Sequence, residues 1–343
     1  LMASGVHIYG GFTGVETALN ERDWAANTTA INGAVARSGS AAYHVVIGAD
    51  NATLDGFTIG NGNASGGDAP EGRGGGMYNP GVSPRVANCM FALNTASHAG
   101  GGMQNSAASP TVVNCSFINN TGKYGGAVEN EGLCSPSFDA CKFTDNTGIN
   151  VGGGMHNAGV TVALLNCLFS HNTAVTGGAV YCYTDASTAM ATMSLDATTC
   201  LFNDNSATSG AGGAMVLGNG GGAVTAILND CNFATNTATS SGGAIMCYGG
   251  SGNIISLTMN DSVCVTNSAT SGGAIYLYYG MAILDRDRFL ANTANTSDGG
   301  ALCAVSSVIS AVNDVFAENG AGGDGGAAMT TATSGDFDNC TFF

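Results

Sequence analysis

A segment of the form Phe-x-x-Asn-[Thr/Ser]-Ala, followed within a dozen residues by Gly-Gly-[Ala/Gly]-apolar, returns along nearly the whole chain and constrains how the backbone can be wound. The Phe slot is filled in turn by Phe91, Phe117, Phe143, Phe169, Phe202, Phe233, Cys264, Phe289, Phe316 and Phe342, at steps of 25 to 33 residues. A period in this range means a solenoid, a propeller or an array. Within each unit, as around Val112 to Phe117 and Ala127 to Asn130, apolar residues alternate at two-residue spacing and are broken by Gly, Asn, Ser and Thr. That spacing reads as short strands, and 54 glycines argue against helical repeats. A propeller blade needs about 40 residues for its four strands, more than one unit holds. The repeat therefore predicts an all-β chain, a single-stranded right-handed parallel β-helix (β-solenoid) with about 26 to 33 residues per coil.

In such a stack, equivalent residues of successive coils lie about 4.8 Å apart, so a side chain repeated at one slot forms a file. Asn94, Asn120, Asn146, Asn172, Asn205, Asn236, Asn267, Asn292 and Asn319 make one file. Asn tolerates a left-handed corner, and its amide can donate to one neighbour while accepting from the other. The paired glycines, such as Gly125-Gly126 and Gly242-Gly243, suit a second corner with φ > 0 and close contact between coils. One asparagine corner and one glycine corner are thus expected in each turn. A further file, Cys89, Cys115, Cys141, Cys167, Cys200, Cys231 and Cys340, falls two residues before the Phe slot and is expected to point inward. Cysteine fills tight cores, and stacked neighbours pointing the same way suit disulfide torsions poorly. No C-x-x-C spacing occurs to support a metal site. Cys134 and Cys303 are the thiols expected at the surface.

The combination of Gly-Gly-Ala-[Ile/Leu/Val] with Phe-x-x-Asn resembles the repeat of chlamydial polymorphic outer-membrane proteins and of secreted bacterial right-handed parallel β-helix repeat proteins. The opening Ile8-Tyr9-Gly10-Gly11-Phe12, then Glu21-Arg22-Asp23-Trp24 and Leu54-Asp55-Gly56-Phe57-Thr58-Ile59, is also similar to how the secreted group begins its helix. The resemblance spans nearly the entire sequence. For function it implies a cell-surface or secreted protein, adhesive or structural, on a scaffold that carries many unrelated activities. The outer-membrane relatives end in a translocator barrel, and none is expected within these residues.

Because each coil is buried only by its neighbours, residues 1–343 are expected to form one elongated domain, with opening coils over 1–72 and the repeat coils over 73–343. Only 9% of residues are charged, and 24 acidic against 8 basic residues give a net charge of −16. That balance disfavours nucleic acid, which is bound through clustered Lys and Arg, and anionic membrane surfaces. No run of 18 apolar residues occurs, so no transmembrane segment is expected. Lacking an initiator Met and a signal pattern at Leu1, the chain reads as a processed or truncated product. The triplets beginning at Asn27, Asn51 and Asn63 fit the glycosylation pattern, as chance also allows in a chain this rich in Asn and Thr.

Candidate chemistry is sparse. In Leu284-Asp285-Arg286-Asp287-Arg288, alternation would place Asp285 and Asp287 on one side and the arginines on the other. Asp287 and Asp314 occupy the cysteine slot, so they are expected as neighbours near the core, where one pKa rises. They read as an acid and nucleophile pair of glycosidase type, or more simply as a polar spot paired to Arg286 or Arg288. Gly320 to Gly325 and Gly66 to Glu71 read as solvated loops rather than calcium turns. The file from Thr95 to Thr293 reads as corner caps rather than an ice-binding array. His7, His44, His98, His156 and His171 show no H-E-x-x-H spacing, no G-x-S-x-G occurs, and the glycine pairs do not open a helix, so no cofactor is implied.

One outward column, running from Tyr78, Gln104, Glu129 and His156 to Cys303 and Met329, turns apolar from Tyr181 onward. Tyr181, Val216, Met246 and Tyr276 are therefore candidates for a lateral interface, unless the longer middle coils fold over them. Cys340, Phe342 and Phe343 are candidates for an end-to-end interface, since an uncapped solenoid end templates association and head-to-tail stacking makes an open filament. The sequence reads as an extracellular, non-enzymatic structural or adhesive β-solenoid that associates with itself or contacts cell-surface glycans. The alternative is a module that binds or degrades polysaccharide through the flank from Asp285 to Asp314.

Overall fold

One coil shows how the residues set the path. Thr111–Val113, Ser116–Ile118, Thr121–Tyr124 and Val128–Glu131 are four short strands, and their sheets are here called I, II, III and IV. Single left-handed residues turn the chain between them: Asn114 (φ 52°), Asn119 (φ 54°), Gly125 (φ 64°) and Gly132 (φ 80°). Each strand then pairs in parallel with its counterpart one coil on, so that Phe117 lies beside Phe143 and Phe143 beside Phe169. In the computed structural model, which describes residues 1–185, 192–250 and 255–343, sheets I and II hold 12 strands each, sheet III 10 and sheet IV 11. The chain is a parallel β-helix. One continuous apolar core runs through it from Met2 to Phe316, with a small separate cluster of Ala207, Ala238 and Ala269. No helix among the described residues is long and apolar enough to cross a membrane.

Two expectations about the corners are corrected. Each turn has four corners rather than two, and the file asparagine is not the left-handed residue. That role falls to the residue before it: Asn119, Asp145, His171, Asp204 or Thr235. The left-handed step reverses the next side chain, so Asn120 and its equivalents point inward, fully buried from Asn94 to Asn292 and half-buried at Asn319. The Asn120 amide donates to Asn146 Oδ1 at 3.0 Å and to the Phe91 carbonyl at 2.8 Å. Its own Oδ1 accepts the backbone and side-chain N–H groups of Asn94, both at 3.1 Å. Buried amides are tolerable only when their donors and acceptors are used, and stacking like on like achieves that.

A second buried amide file went unread in the sequence. Asn79, Asn105, Asn130 and Asn157 point inward from sheet IV and donate in succession at 2.8, 2.7 and 2.8 Å. The file ends where Asn157 meets the Cys182 thiol. Its signal was present as an Asn two residues after Met77, Met103, Val128 and Met155.

The remaining interior is apolar. Phe91, Phe117, Phe143, Phe169, Phe202 and Phe233 stack face to face, with centroids 4.3 to 5.0 Å apart across the file from Phe143–Phe169 to Phe169–Phe202. Burying each ring contributes about 1.5–3 kcal/mol. The twelve cysteines are all free thiols. In the inward file Cys115 Sγ accepts the Cys89 N–H at 3.4 Å. Cys134 and Cys303, expected at the surface, are buried at 8% and 3% exposure. Cys134 enters the core from the IV to I corner, and Cys303 packs against Gly299, whose added Cβ would lie 2.8 Å from the Cys303 Cβ.

The paired glycines are required for two separate reasons. Gly125 has positive φ, and a Cβ there would sit 2.0 Å from the Val128 carbonyl oxygen. Gly126 would place its Cβ 2.3 Å from the carbonyl oxygen of Gly153 in the next coil. The longer middle coils spend their extra residues on longer strands of sheets IV and I, such as Met215–Gly220 and Ala223–Asn229.

Candidate functional site

Sheet IV carries the most chemically varied outer face. Tyr78, Gln104, Glu129, His156 and Tyr181 lie in strict register across its strands. The column continues through Val216, Met246, Tyr276, Cys303 and Met329. It is not bare: Val216 is buried at 4% exposure, and Tyr181, Met246 and Tyr276 are half-buried. The left-handed glycine ahead of each strand folds the preceding corner against this column. A Cβ on Gly212 would lie 2.4 Å from Val216 Cγ2, and one on Gly272 would lie 3.0 Å from Tyr276 Cβ. The surface lies two residues farther along, in the column holding Glu131, Tyr183, Tyr248 and Tyr278.

Toward the N-terminus the face is polar. His156 Nδ1 lies 2.5 Å from Glu129 Oε2, and burial pushes the Glu129 carboxyl above the usual range, opposed by the neighbouring His156. Gln104, one coil earlier, is fully buried, and its amide has no protein partner. Glu131 is paired with Arg73 and accepts a hydrogen bond from Ser106 at 3.1 Å. His98 lies 2.7 Å from Asp68, and Tyr124 bridges His98 and His156 at ring distances of 5.2 and 5.7 Å. No repeat pattern joins these groups, because Arg73, His98 and Tyr124 come from a corner and from sheet III.

Toward the C-terminus the same face is aromatic. Tyr248 stacks on Tyr278 at 5.9 Å, and Tyr279 meets Tyr278 edge-on at 4.6 Å. Tyr248 and Tyr279 are 50% and 38% exposed. Beside them, at the corner between sheets IV and I, runs a groove of about 950 Å³ whose lining includes Tyr279, Met281, Ser306, Val308, Thr330 and Ser334.

The acidic candidates fall elsewhere: Asp287 and Asp314 are buried neighbours, as their cysteine slot implied, while the alternation expected from Asp285 to Arg288 is corrected. Arg286 is itself a left-handed corner residue (φ 59°), which breaks the alternation. Asp285 therefore stays outside, in contact with Arg286, while Asp287 enters the core. Arg286 also binds both oxygens of Asp261 at 2.7 Å, so the Asp287 and Asp314 pair has no arginine partner. Asp287 Oδ1 accepts the Ser262 N–H and Asp314 Oδ1 accepts the Asp287 N–H, each at 2.7 Å. Their second oxygens are buried without protein partners. Burial raises Asp287 to about 8 and Asp314 to about 6. At 1% and 0% exposure, the two carboxyls are closed to a polymeric substrate in this conformation.

Asp68 of the first glycine-aspartate loop is engaged by His98, and in the second the Asp324 N–H donates to Asp298 Oδ1 at 2.8 Å. Among the described residues no group of three or more His, Cys, Asp or Glu gathers to hold a metal ion. Of the terminal candidates, Cys340 is half-buried, while Phe342 and Phe343 are 48% and 76% exposed. Phe342 extends the aromatic stack on Phe316 at 4.9 Å.

Fold and face together define a parallel β-helix repeat protein with a polar and aromatic flank. Two of its segments, residues 166–183 and 230–248, match the family model of the Chlamydia polymorphic membrane protein repeat. Each runs from the cysteine file through Phe-x-x-Asn and the glycine pair into sheet IV, ending on Tyr183 and Tyr248. The repeat type that the sequence suggested is thus present. No curated protein and no solved structure matches the chain.

Proposed function

We propose that this protein is an extracellular, surface-exposed β-solenoid with a structural or adhesive and non-enzymatic role, and that the outer face of sheet IV makes its contacts. The observation that carries the reading is the match of residues 166–183 and 230–248 to a repeat of bacterial membrane proteins. Two physical features support it. Continuous backbone ladders and stacked side-chain files make a stiff rod, and exposed aromatic side chains are frequent anchors of interfaces. Beads coated with the full chain are expected to attach to cultured cells, and to lose much of that attachment after Tyr248→Ala. Attachment no better than albumin-coated beads would overturn the adhesive role.

Self-association through Cys340, Phe342 and Phe343 is the structural form of the same reading, favoured by the like-on-like stacking of successive coils, in which Phe342 lies 4.9 Å from Phe316. Negative-stain images are expected to show end-to-end rods that Phe342→Asp disperses. A polysaccharide-binding or polysaccharide-degrading module is the second reading, favoured by the tyrosines along sheet IV. Release of reducing sugar from a polysaccharide by the purified chain would replace the non-enzymatic assignment.

A further inference from the structure

Tyr279 is out of keeping with its slot. At the turn leaving sheet IV other coils place small residues in the left-handed conformation, namely Gly81, Ala107, Gly132, Gly159, Ser306 and Ala332. Here a tyrosine holds φ 48°. A bulky residue in that region is strained, and such strain persists where the surroundings over-determine it, commonly at ligand sites. What the strain achieves is placement: the Tyr279 ring lines the 950 Å³ groove while packing edge-on against Tyr278.

The lining crosses four consecutive coils, from Gly250 through Tyr279 and Val308 to Ser334, a run of roughly 15 Å along the helix axis at one strand spacing per coil. Among the described residues it contains no Asp, Glu, Lys, Arg or His, in a chain whose net charge is −16. Of its hydroxyl-bearing residues, Ser306 is half-buried and Thr330 and Ser334 are exposed. An extended peptide would need a free strand edge to pair with, but the central strands flanking the groove, Ile275–Tyr278, Gly280–Asp285, Leu302–Val305 and Val308–Val312, are hydrogen-bonded to coils on both sides.

We infer that the groove beside Tyr279 binds an uncharged oligosaccharide lying along the helix axis. This inference rests on the adhesive reading above and supplies its ligand class. The Tyr279 and Tyr248 rings offer apolar faces for the C–H faces of pyranose rings. The hydroxyls of Ser306, Thr330 and Ser334 exchange hydrogen bonds with those of the sugar. The neutral lining removes the desolvation cost of a buried charge, and the net charge of −16 disfavours uronate or sulfated chains.

The test uses the full chain on an array of neutral and anionic glycans of graded length, followed by titration calorimetry with the retained glycan. Neutral glycans of several units are expected to bind better than their mono- and disaccharide fragments. Tyr279→Asn and Tyr248→Ala are each expected to weaken binding about tenfold. Asn accepts the left-handed backbone, so Tyr279→Asn preserves the turn, and unchanged thermal unfolding separates lost contact from lost fold. The inference is overturned if no neutral glycan is retained, if anionic glycans are preferred, or if neither substitution changes affinity. The same proteins on beads keep the two readings distinguishable. Glycan binding absent with attachment to cells intact removes the groove inference alone. Glycan binding present and lost in the variants, without attachment, removes the adhesive role alone.

Discussion

Asp314 Oδ1 accepts the backbone N–H of Asp287 at 2.7 Å, in the slot where Cys115 Sγ accepts the N–H of Cys89 at 3.4 Å. One inward file thus passes from Cys89 to Cys231, then through Ser262 to the two aspartates, with the acceptor kept throughout and its chemistry changed. Burial in this file pushes both carboxyls well above the usual aspartate range.

A pH dependence follows from that change. The native chain holds Asp287 and Asp314 at about 8 and about 6, against about 3.9 for an unfolded aspartate. Between pH 4 and pH 8 the folded state therefore binds more protons than the unfolded one, and its stability falls as pH rises. The loss is expected to be on the order of a few kcal/mol and to level off above about pH 8. Asp287→Asn should flatten the profile, being more stable than the parent at pH 8.5 and similar to it at pH 5. Denaturant midpoints measured across that range check this, and a parent whose midpoint rises steadily from pH 5 to 8.5 would contradict it.

The amide file gives a sharper loss. Removing the Asn146 side chain takes partners from the Phe117 carbonyl, from Asn172 Oδ1 and from two N–H groups of Asn120. Each buried group left unsatisfied costs about 1–3 kcal/mol, so Asn146→Ala is expected to destabilise its coils by about 3 kcal/mol or more. Limited proteolysis should then cut between Asn119 and Gly178 before it cuts elsewhere.

Phe143 lies between Phe117 at 5.0 Å and Phe169 at 4.3 Å. Phe143→Ala is expected to cost about 3–5 kcal/mol through lost burial and the cavity left behind, and Phe143→Leu less. A denaturation series with both variants measures the gap between them, and equal losses would mean that ring stacking contributes more than volume.

Thiol labelling tests the buried files. Cys340 is the one cysteine that is half-buried rather than buried, and its thiol is itself pushed up by burial. Iodoacetamide is expected to label the native chain slowly and at Cys340 first, and all twelve sites after unfolding. Early labelling of Cys134 or Cys303 would show that those sites open readily.

The sequence's part in this outcome can be traced residue by residue. The Phe-x-x-Asn and glycine-pair period was enough to establish a parallel stack of coils and the inward Phe and Cys files, because a repeated side chain in a parallel sheet must meet its own copy. The glycine pair was legible too, since positive φ and close coil contact both exclude a Cβ. The amide file through Asn120 was legible, but its backbone was wrongly given the left-handed step. Its period is visible, but which of two adjacent residues takes the left-handed step depends on which one the neighbouring coil can hydrogen-bond inside the core. Asp285 was misplaced beside Asp287 for a similar reason, since a corner at Arg286 defeats alternation, whereas the cysteine slot correctly put Asp287 and Asp314 together near the core.

By itself, then, the sequence determined the winding, since periodicity is a local property repeated. Tertiary structure decided what each corner exposes. It buried Val216, Cys134 and Cys303, joined Glu129 to His156 across coils, and brought Tyr248, Tyr278 and Tyr279 together beside an uncharged groove. Those relationships depend on how segments from different sheets lean over one another, and packing of that kind is not encoded in any single repeat.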